Sequence, residues 1–195
     1  MLPCPQGVAV VFSNPSFLYY LFPIALILYF ITPMPKGSPF LRNLTLFVVS
    51  FVFYAWGEPK YVFLMAAQCI SAWGFGLLIE KYRGHKTSKA VMSLSAAVSL
   101  SGLIFFKYTN FFITNINGLF GARLSLISYL MPIGISFYTF QILSYTIDLY
   151  RGDTEVQRNP LYFSMYVILF PQLIAGPIVR YTDVAREIKN REHSI

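Results

Sequence analysis

Gly134, Tyr138, Gln141, Tyr145 and Asp148 follow one another at spacings of four, three, four and three inside an otherwise apolar run. That spacing places them on one stripe of an α-helix. The faces beside and behind the stripe hold Ile135, Phe140, Ile142, Ile147 and Leu149. Amide, phenol and carboxylate groups on such a seam have two uses. They can satisfy one another across a helix–helix contact, as small and polar residues do in membranes. They can also line a polar cavity. Leaving them in lipid without a partner is unfavourable. A second stretch, 170–181, carries Gln172 and Arg180 in an apolar run broken by Pro171, Gly176 and Pro177. Proline removes a backbone donor, and irregular backbone at membrane depth is tolerated only inside protein or beside water. Gln141 is suited to meet the groups freed there, and Arg180 is the expected charge partner of Asp148.

The elements that must position these residues follow from composition. Apolar residues make up 56% of the 195 and charged residues 12%. The charged share is about half the usual one, which indicates a membrane protein. The net charge of +7 sits between apolar runs, so it marks membrane-flanking loops and not a nucleic-acid surface. Apolar runs predict spans near 17–31, 41–55, 61–79, 90–106, 130–149 and 161–179. The expected fold class is all-α: a polytopic membrane helical bundle of five to six apolar segments, one of them re-entrant. Residues 108–122 predict a short helix lying in the interface, with Phe112, Ile116, Leu119 and Phe120 on one face. Ser93, Ala97 and Ser101, and likewise Ser95 and Ser99, predict packing surfaces on the fourth span.

Charge decides between a crossing and a returning sixth segment. The loop 80–89 holds four basic residues and one acid, and reads as cytoplasmic. If all six runs cross, Lys and Arg divide eight against seven. If the sixth dips in and returns, Arg180 and the tail's Arg186, Lys189 and Arg191 join the cytoplasmic side and the division is twelve against three. The rule prefers the re-entrant arrangement, and the same count is also met if a different span, such as the short first one, misses the full crossing. Residues 1–35 carry no charge and lack the basic start and cleavage site of a secretory signal.

Cys4 and Cys69 suggest neither a disulfide nor a metal site. The sequence has no Gly-rich phosphate loop, paired-His metal motif or Gly-x-Ser-x-Gly elbow. His85 lies in the basic loop and His193 in the polar tail, where a solvated histidine is the ordinary expectation.

Three runs, PIGISFYTFQ at 132–141, SYTIDLYRG at 144–152 and FPQLIAGPIVRY at 170–181, resemble the membrane-bound O-acyltransferase family. VFSNPSF at 11–17 and YAWG at 54–57 resemble its alginate O-acetylation branch, and also the related teichoic acid D-alanyl transfer proteins. The resemblance covers nearly the whole chain and implies the N-terminal portion of such an enzyme, which moves an acyl group, usually acetyl, to a hydroxyl of an exported polysaccharide such as alginate. It implies an acyl thioester donor, acetyl-CoA or an acyl carrier, with no other cofactor. It implies as partners the bilayer, the polysaccharide and further membrane or periplasmic acyltransferase proteins, in the bacterial inner membrane. The family's catalytic histidine lies in the C-terminal half, so no catalytic residue is assigned here and the chain is expected to be inactive alone. Tyr138, Gln141, Tyr145, Asp148, Gln172 and Arg180 are the candidates for a substrate-funnel wall or a structural polar seam. A non-catalytic scaffold or a small transporter is the rival expectation.

Overall fold

The structure, a computed structural model, describes residues 17–33, 39–121, 123–127, 131–169, 172 and 179–189. A π-helical turn, Phe17–Leu21, leads into α1 (Phe22–Ile31). It is followed by α2 (Phe40–Gly57), α3 (Val62–Lys81), α4 (Lys86–Phe120), α5 (Ile135–Arg151), α6 (Pro160–Ile168) and α7 (Tyr181–Lys189). No strand occurs among the described residues. The all-α membrane bundle expected from composition is what forms, and α2, α3 and α4 are each long and apolar enough to cross a membrane.

α3 sits at the centre. It packs on α4, α5 and α6, while α2 packs on α6 and α1 on α2. Met65, Cys69, Ala72 and Ile79 of α3 are buried against Tyr138, Ile142, Tyr145 and Leu149 of α5. The closest approach is at Gly76. A Cβ there would lie 3.2 Å from both Cε1 and the hydroxyl of Tyr145. The α1–α2 pair is tied by polar groups. The Thr32 and Thr45 hydroxyls share a hydrogen bond of 3.0 Å. Arg42 donates Nε to the Thr32 carbonyl at 3.2 Å and lies 5.3 Å from the Tyr29 ring centroid.

Two expectations need correction. Residues 108–120 are no separate interfacial helix but the last turns of α4, which runs unbroken for 35 residues. Lys107 interrupts hydropathy but not the backbone, and no proline lies between 86 and 120. Of the two small-residue stripes on α4, Ser95 and Ser99 are buried while Ser93, Ala97 and Ser101 are exposed.

The tightest evidence on topology concerns the sixth segment. α6 has nine residues, about 13 Å of helix, and cannot cross a hydrocarbon core of about 30 Å. The Gln157 amide, before α6, donates to the Tyr181 hydroxyl, at the start of α7, at 2.8 Å. The chain therefore returns to the end of the bundle it left. Pro171, Gly176 and Pro177 lie outside the described residues.

With this return the charges segregate. One end collects Arg42, Lys81, Arg83, Lys86 and Lys89, with Arg151, Arg158 and Arg180, and α7 adds Arg186 and Lys189. The Phe40–Tyr162 ring contact at 6.4 Å and the Arg83 donation to the Leu149 carbonyl at 3.2 Å bring these parts to the same end. The far end holds Lys60, Lys107 and Arg123. There Tyr54 donates to the Ile133 carbonyl at 3.2 Å, and the Ile133 N–H is directed at Glu58.

By the positive-inside rule the basic end is expected to face the cytoplasm. Cysteines at Thr87 and Asp183 are expected to resist a membrane-impermeant thiol reagent in intact cells, and one at Lys60 to react. Labelling at only one of Thr87 and Asp183 would show that the sixth segment crosses.

Candidate functional site

The seam begins with a turn. Gly134, expected as its first member, instead precedes the helix with φ +77°, a left-handed conformation that side chains disfavour. That turn starts α5 at Ile135 and not at Leu130. From there the spacing holds. Tyr138, Gln141, Tyr145 and Asp148 are all buried, and Phe137 and Phe140 face outward. The seam is turned into the protein, away from lipid.

Its members meet different neighbours. The Tyr138 hydroxyl is buried near Tyr54 and Cys69, with no hydrogen-bond partner among the described residues. Gln141 donates Nε2 to Oε1 of Gln172 at 3.4 Å, a long bond. Its own Oε1 is buried without a partner among the described residues. Tyr145 accepts the Gln157 N–H at 3.0 Å. Asp148 accepts from Ser144 at 3.4 Å and is an electrostatic neighbour of Tyr166.

The expected Asp148–Arg180 ion pair does not form. An ion pair is seen instead between Arg83 and Glu80, at 3.0 Å. The reason is local. The Val179 carbonyl accepts from the Tyr166 hydroxyl at 2.8 Å, and Tyr181 is buried at 1% exposure. Arg180 lies between these two anchors and is exposed.

Gln157, Tyr166 and Tyr181 were not among the residues singled out from sequence, yet they build the wall facing the seam. Tyr145 lies 4.8 Å from Phe163 and 5.1 Å from Tyr181 by ring centroids. Tyr166 lies 5.3 Å from Tyr181, edge to face. Such contacts add about 0.5–1.5 kcal/mol per pair beyond area burial. Gln157 serves three bonds: its N–H to Tyr145, its amide N–H to Tyr181, and its Oε1 accepting from Asn159 N at 3.0 Å. Asn159 in turn caps α6, accepting from Leu161 N at 2.9 Å. Burial pushes the Tyr181 phenol above its ordinary pKa, and the Gln157 amide opposes this. The signal available in sequence was Tyr181 itself, the last residue of the 170–181 run. Gln157, in a polar loop, carried none.

Tyr138, Gln141, Tyr145 and Asp148 are thus buried along one face of α5, Gln172 lies half-buried beside Gln141, and Arg180 is exposed. His85 is exposed ahead of α4, and His193 lies outside the described residues. No group of three or more His, Cys, Asp or Glu able to hold a metal occurs among the described residues.

Replacing Tyr181 by Phe leaves a buried amide donor unpaired, at a cost of about 1–3 kcal/mol. A lowered unfolding midpoint in detergent is expected, with a similar loss for Gln157→Leu and no further loss in the double variant. Additive losses would show that the two do not act as one bond. Gly76→Val is expected to lower the midpoint further, by about 1–3 kcal/mol of overpacking against Tyr145.

No family model and no solved structure matches the chain. Curated relatives do. The chain is 38% identical over 192 residues to the probable alginate O-acetylases of Azotobacter vinelandii and Pseudomonas aeruginosa, over 95% of its own length and 37% and 36% of theirs. It is 29% identical over 210 residues to the peptidoglycan O-acetyltransferase of Helicobacter pylori, covering 94% of the chain and 40% of that protein. The chain thus spans little more than a third of the length of these relatives. Identity at this level along almost all of its residues makes the chain a member of the membrane-bound O-acyltransferase family, in its alginate O-acetylation branch.

Proposed function

We propose that the chain is the N-terminal portion of a membrane O-acyltransferase that moves an acyl group, acetyl by preference, onto hydroxyls of an exported polysaccharide such as alginate. The observation that carries this reading is the Gln141–Gln172 contact. It turns a polar seam inward, onto a segment that enters the bundle and returns. The kinship with O-acetylases supports the reaction class. The acceptor hydroxyl attacks the carbonyl of an acyl thioester, the carbon–sulfur bond breaks, and the thiol leaves with the proton. Such a step needs a base near the hydroxyl and donors for the developing oxyanion. The seam supplies amide and phenol donors, and neither His85 nor His193 lies in it. The base therefore comes from outside this stretch. Tyr138, Gln141, Tyr145, Asp148 and Gln172 form the wall of the substrate funnel in this reading, with Arg180 at its rim. The donor is acetyl-CoA or an acyl carrier on the cytoplasmic side of the inner membrane, and further acyltransferase proteins receive or direct the product.

Two measurements test this. Membranes bearing only this chain are expected to transfer no acetyl group from a thioester to polysaccharide above a heat-killed control. Transfer that His85→Ala abolishes would overturn the assignment of the base. A graft of residues 1–195 in place of the matching part of the Pseudomonas aeruginosa relative is expected to restore alginate acetylation. Gln141→Leu in that graft is expected to reduce it at least about tenfold, a loss of about 1.4 kcal/mol of transition-state stabilisation. Undiminished acetylation with Gln141→Leu would remove the seam from the funnel.

A further inference from the structure

α5 starts without a cap of its own. Gly134 precedes the helix at φ +77°, and no side chain caps the first turn. A glycine in that conformation is permissive on both sides of it. The turn 132–134 therefore does not by itself set the rotation at which the helix begins. Inside the turn the bonds are local: Ile135 N donates to the Pro132 carbonyl at 3.3 Å, and Tyr138 N to the Gly134 carbonyl at 3.0 Å. Tyr54 ties the turn to the rest of the bundle. From α2 its hydroxyl donates to the Ile133 carbonyl at 3.2 Å, across 79 residues of sequence.

The Tyr54 proton goes to this bond in spite of a rival. Tyr54 is 4% exposed, and the Tyr138 hydroxyl near it, on a residue 0% exposed, has no hydrogen-bond partner among the described residues. A phenol has one proton to give, and an unpaired buried hydroxyl is unfavourable. The arrangement thus favours anchoring the turn over pairing the two phenols. The other end of α5 is held separately, by the Arg83 donation to the Leu149 carbonyl and by Tyr145 among its neighbouring rings. Gln141 lies between the two anchors. Its Nε2 reaches Oε1 of Gln172 at 3.4 Å, which leaves no slack for a hydrogen bond. Side chains lie about 5–6 Å from a helix axis, so turning the first half of α5 by about 10° carries the Gln141 amide about 1 Å and breaks the contact.

We propose that Tyr54 is a positioning residue for the acyl transfer: its bond to the Ile133 carbonyl sets the rotation of α5 and so holds Gln141 against Gln172. Tyr54 acts through the helix and not on the reacting groups. The proposal rests on the reading of Gln141 as part of the funnel wall, and it gives the YAWG run at 54–57 a use that the seam alone does not.

Tyr54→Phe keeps the buried ring and removes the bond. The test uses the graft of residues 1–195 in the Pseudomonas aeruginosa relative. It reads the acetyl content of secreted alginate and the amide hydrogen exchange of the purified graft. Tyr54→Phe is expected to lower acetylation at least about fivefold, at an unchanged amount of protein in the membrane. Exchange over residues 132–141 is expected to quicken at least about tenfold, with residues 65–79 of α3 as in the parent graft. Added to Gln141→Leu, Tyr54→Phe is expected to lower the residual acetylation no further, because it acts through that residue. Full acetylation with Tyr54→Phe would overturn the proposal. Exchange quickened equally in α3 and α5 would overturn it too, since the whole bundle would then have loosened. A further loss on top of Gln141→Leu would mean that Tyr54 acts elsewhere, and would also overturn it. A parent graft that acetylates nothing refutes the acyltransferase reading and this proposal with it. A parent graft that acetylates beside an equally active Tyr54→Phe refutes the positioning role alone.

Discussion

The hydrogen bond from Gln157 to Tyr181, set among the rings of Tyr145, Phe163 and Tyr166, holds the architecture together. It closes 24 residues into a loop with both ends at the basic end of the bundle. With the Tyr166–Val179 bond it ties the end of the sixth apolar run back to the end it left. In a low-dielectric surround such a bond is strong, and leaving either partner unmade is costly. Each hydroxyl around it is engaged: Tyr145 by Gln157 N, Tyr166 by the Val179 carbonyl, and Tyr181 by the Gln157 amide.

The consequences run outward from this closure. Because the segment returns, Gln172 sits beside Gln141 inside the protein. Because Tyr145 belongs to the ring cluster, α5 must lie hard against α3, and only Gly76 leaves room for its phenol. Because α5 is fixed at this end, Arg83 can donate to the Leu149 carbonyl and join the basic loop to the C-terminus of the seam helix. At the far end Tyr54 and Glu58 grip the Ile133 peptide from its two sides. The helix bearing the seam is thus clamped at both ends by side chains of its neighbours.

Much of this was legible in sequence, and the failures have physical causes. The seam was readable because helical periodicity acts within a few residues, and the inward burial of Tyr138, Gln141, Tyr145 and Asp148 follows it. The return of the sixth run was readable from charge, a property summed over loops. Gly134 was misassigned because glycine fits a helical stripe by spacing alone while its positive φ starts the helix. The interfacial helix was a misreading of hydropathy. A lysine changes the polarity of one turn and leaves the backbone hydrogen bonds intact, so α4 continues through Lys107. The Asp148–Arg180 pair failed because charge complementarity says nothing of backbone direction, and Val179 and Tyr181 are both held facing the core. Only half of the Gln157–Tyr181 bond was legible, since Tyr181 ends the 170–181 run while Gln157 lies in a stretch that reads as a loop.

Several helices depart from the length a bilayer prescribes: α1, at ten residues, and α6, at nine, are too short to cross alone, and α4 runs for 35. A short helix in an apolar bundle leaves the chain beyond it needing polar partners, and the seam of α5 presents Gln141 and Asp148 on that side. The far part of the long helix α4 is held by a strap, which Asn110 and Asn117 grip through the Ile127 and Leu124 backbone. A polar group that matches an irregular backbone can also meet a polar ligand, and the seam of α5 beside α6 is buried within the bundle. This is the physical argument that favours the seam as the place of the proposed chemistry.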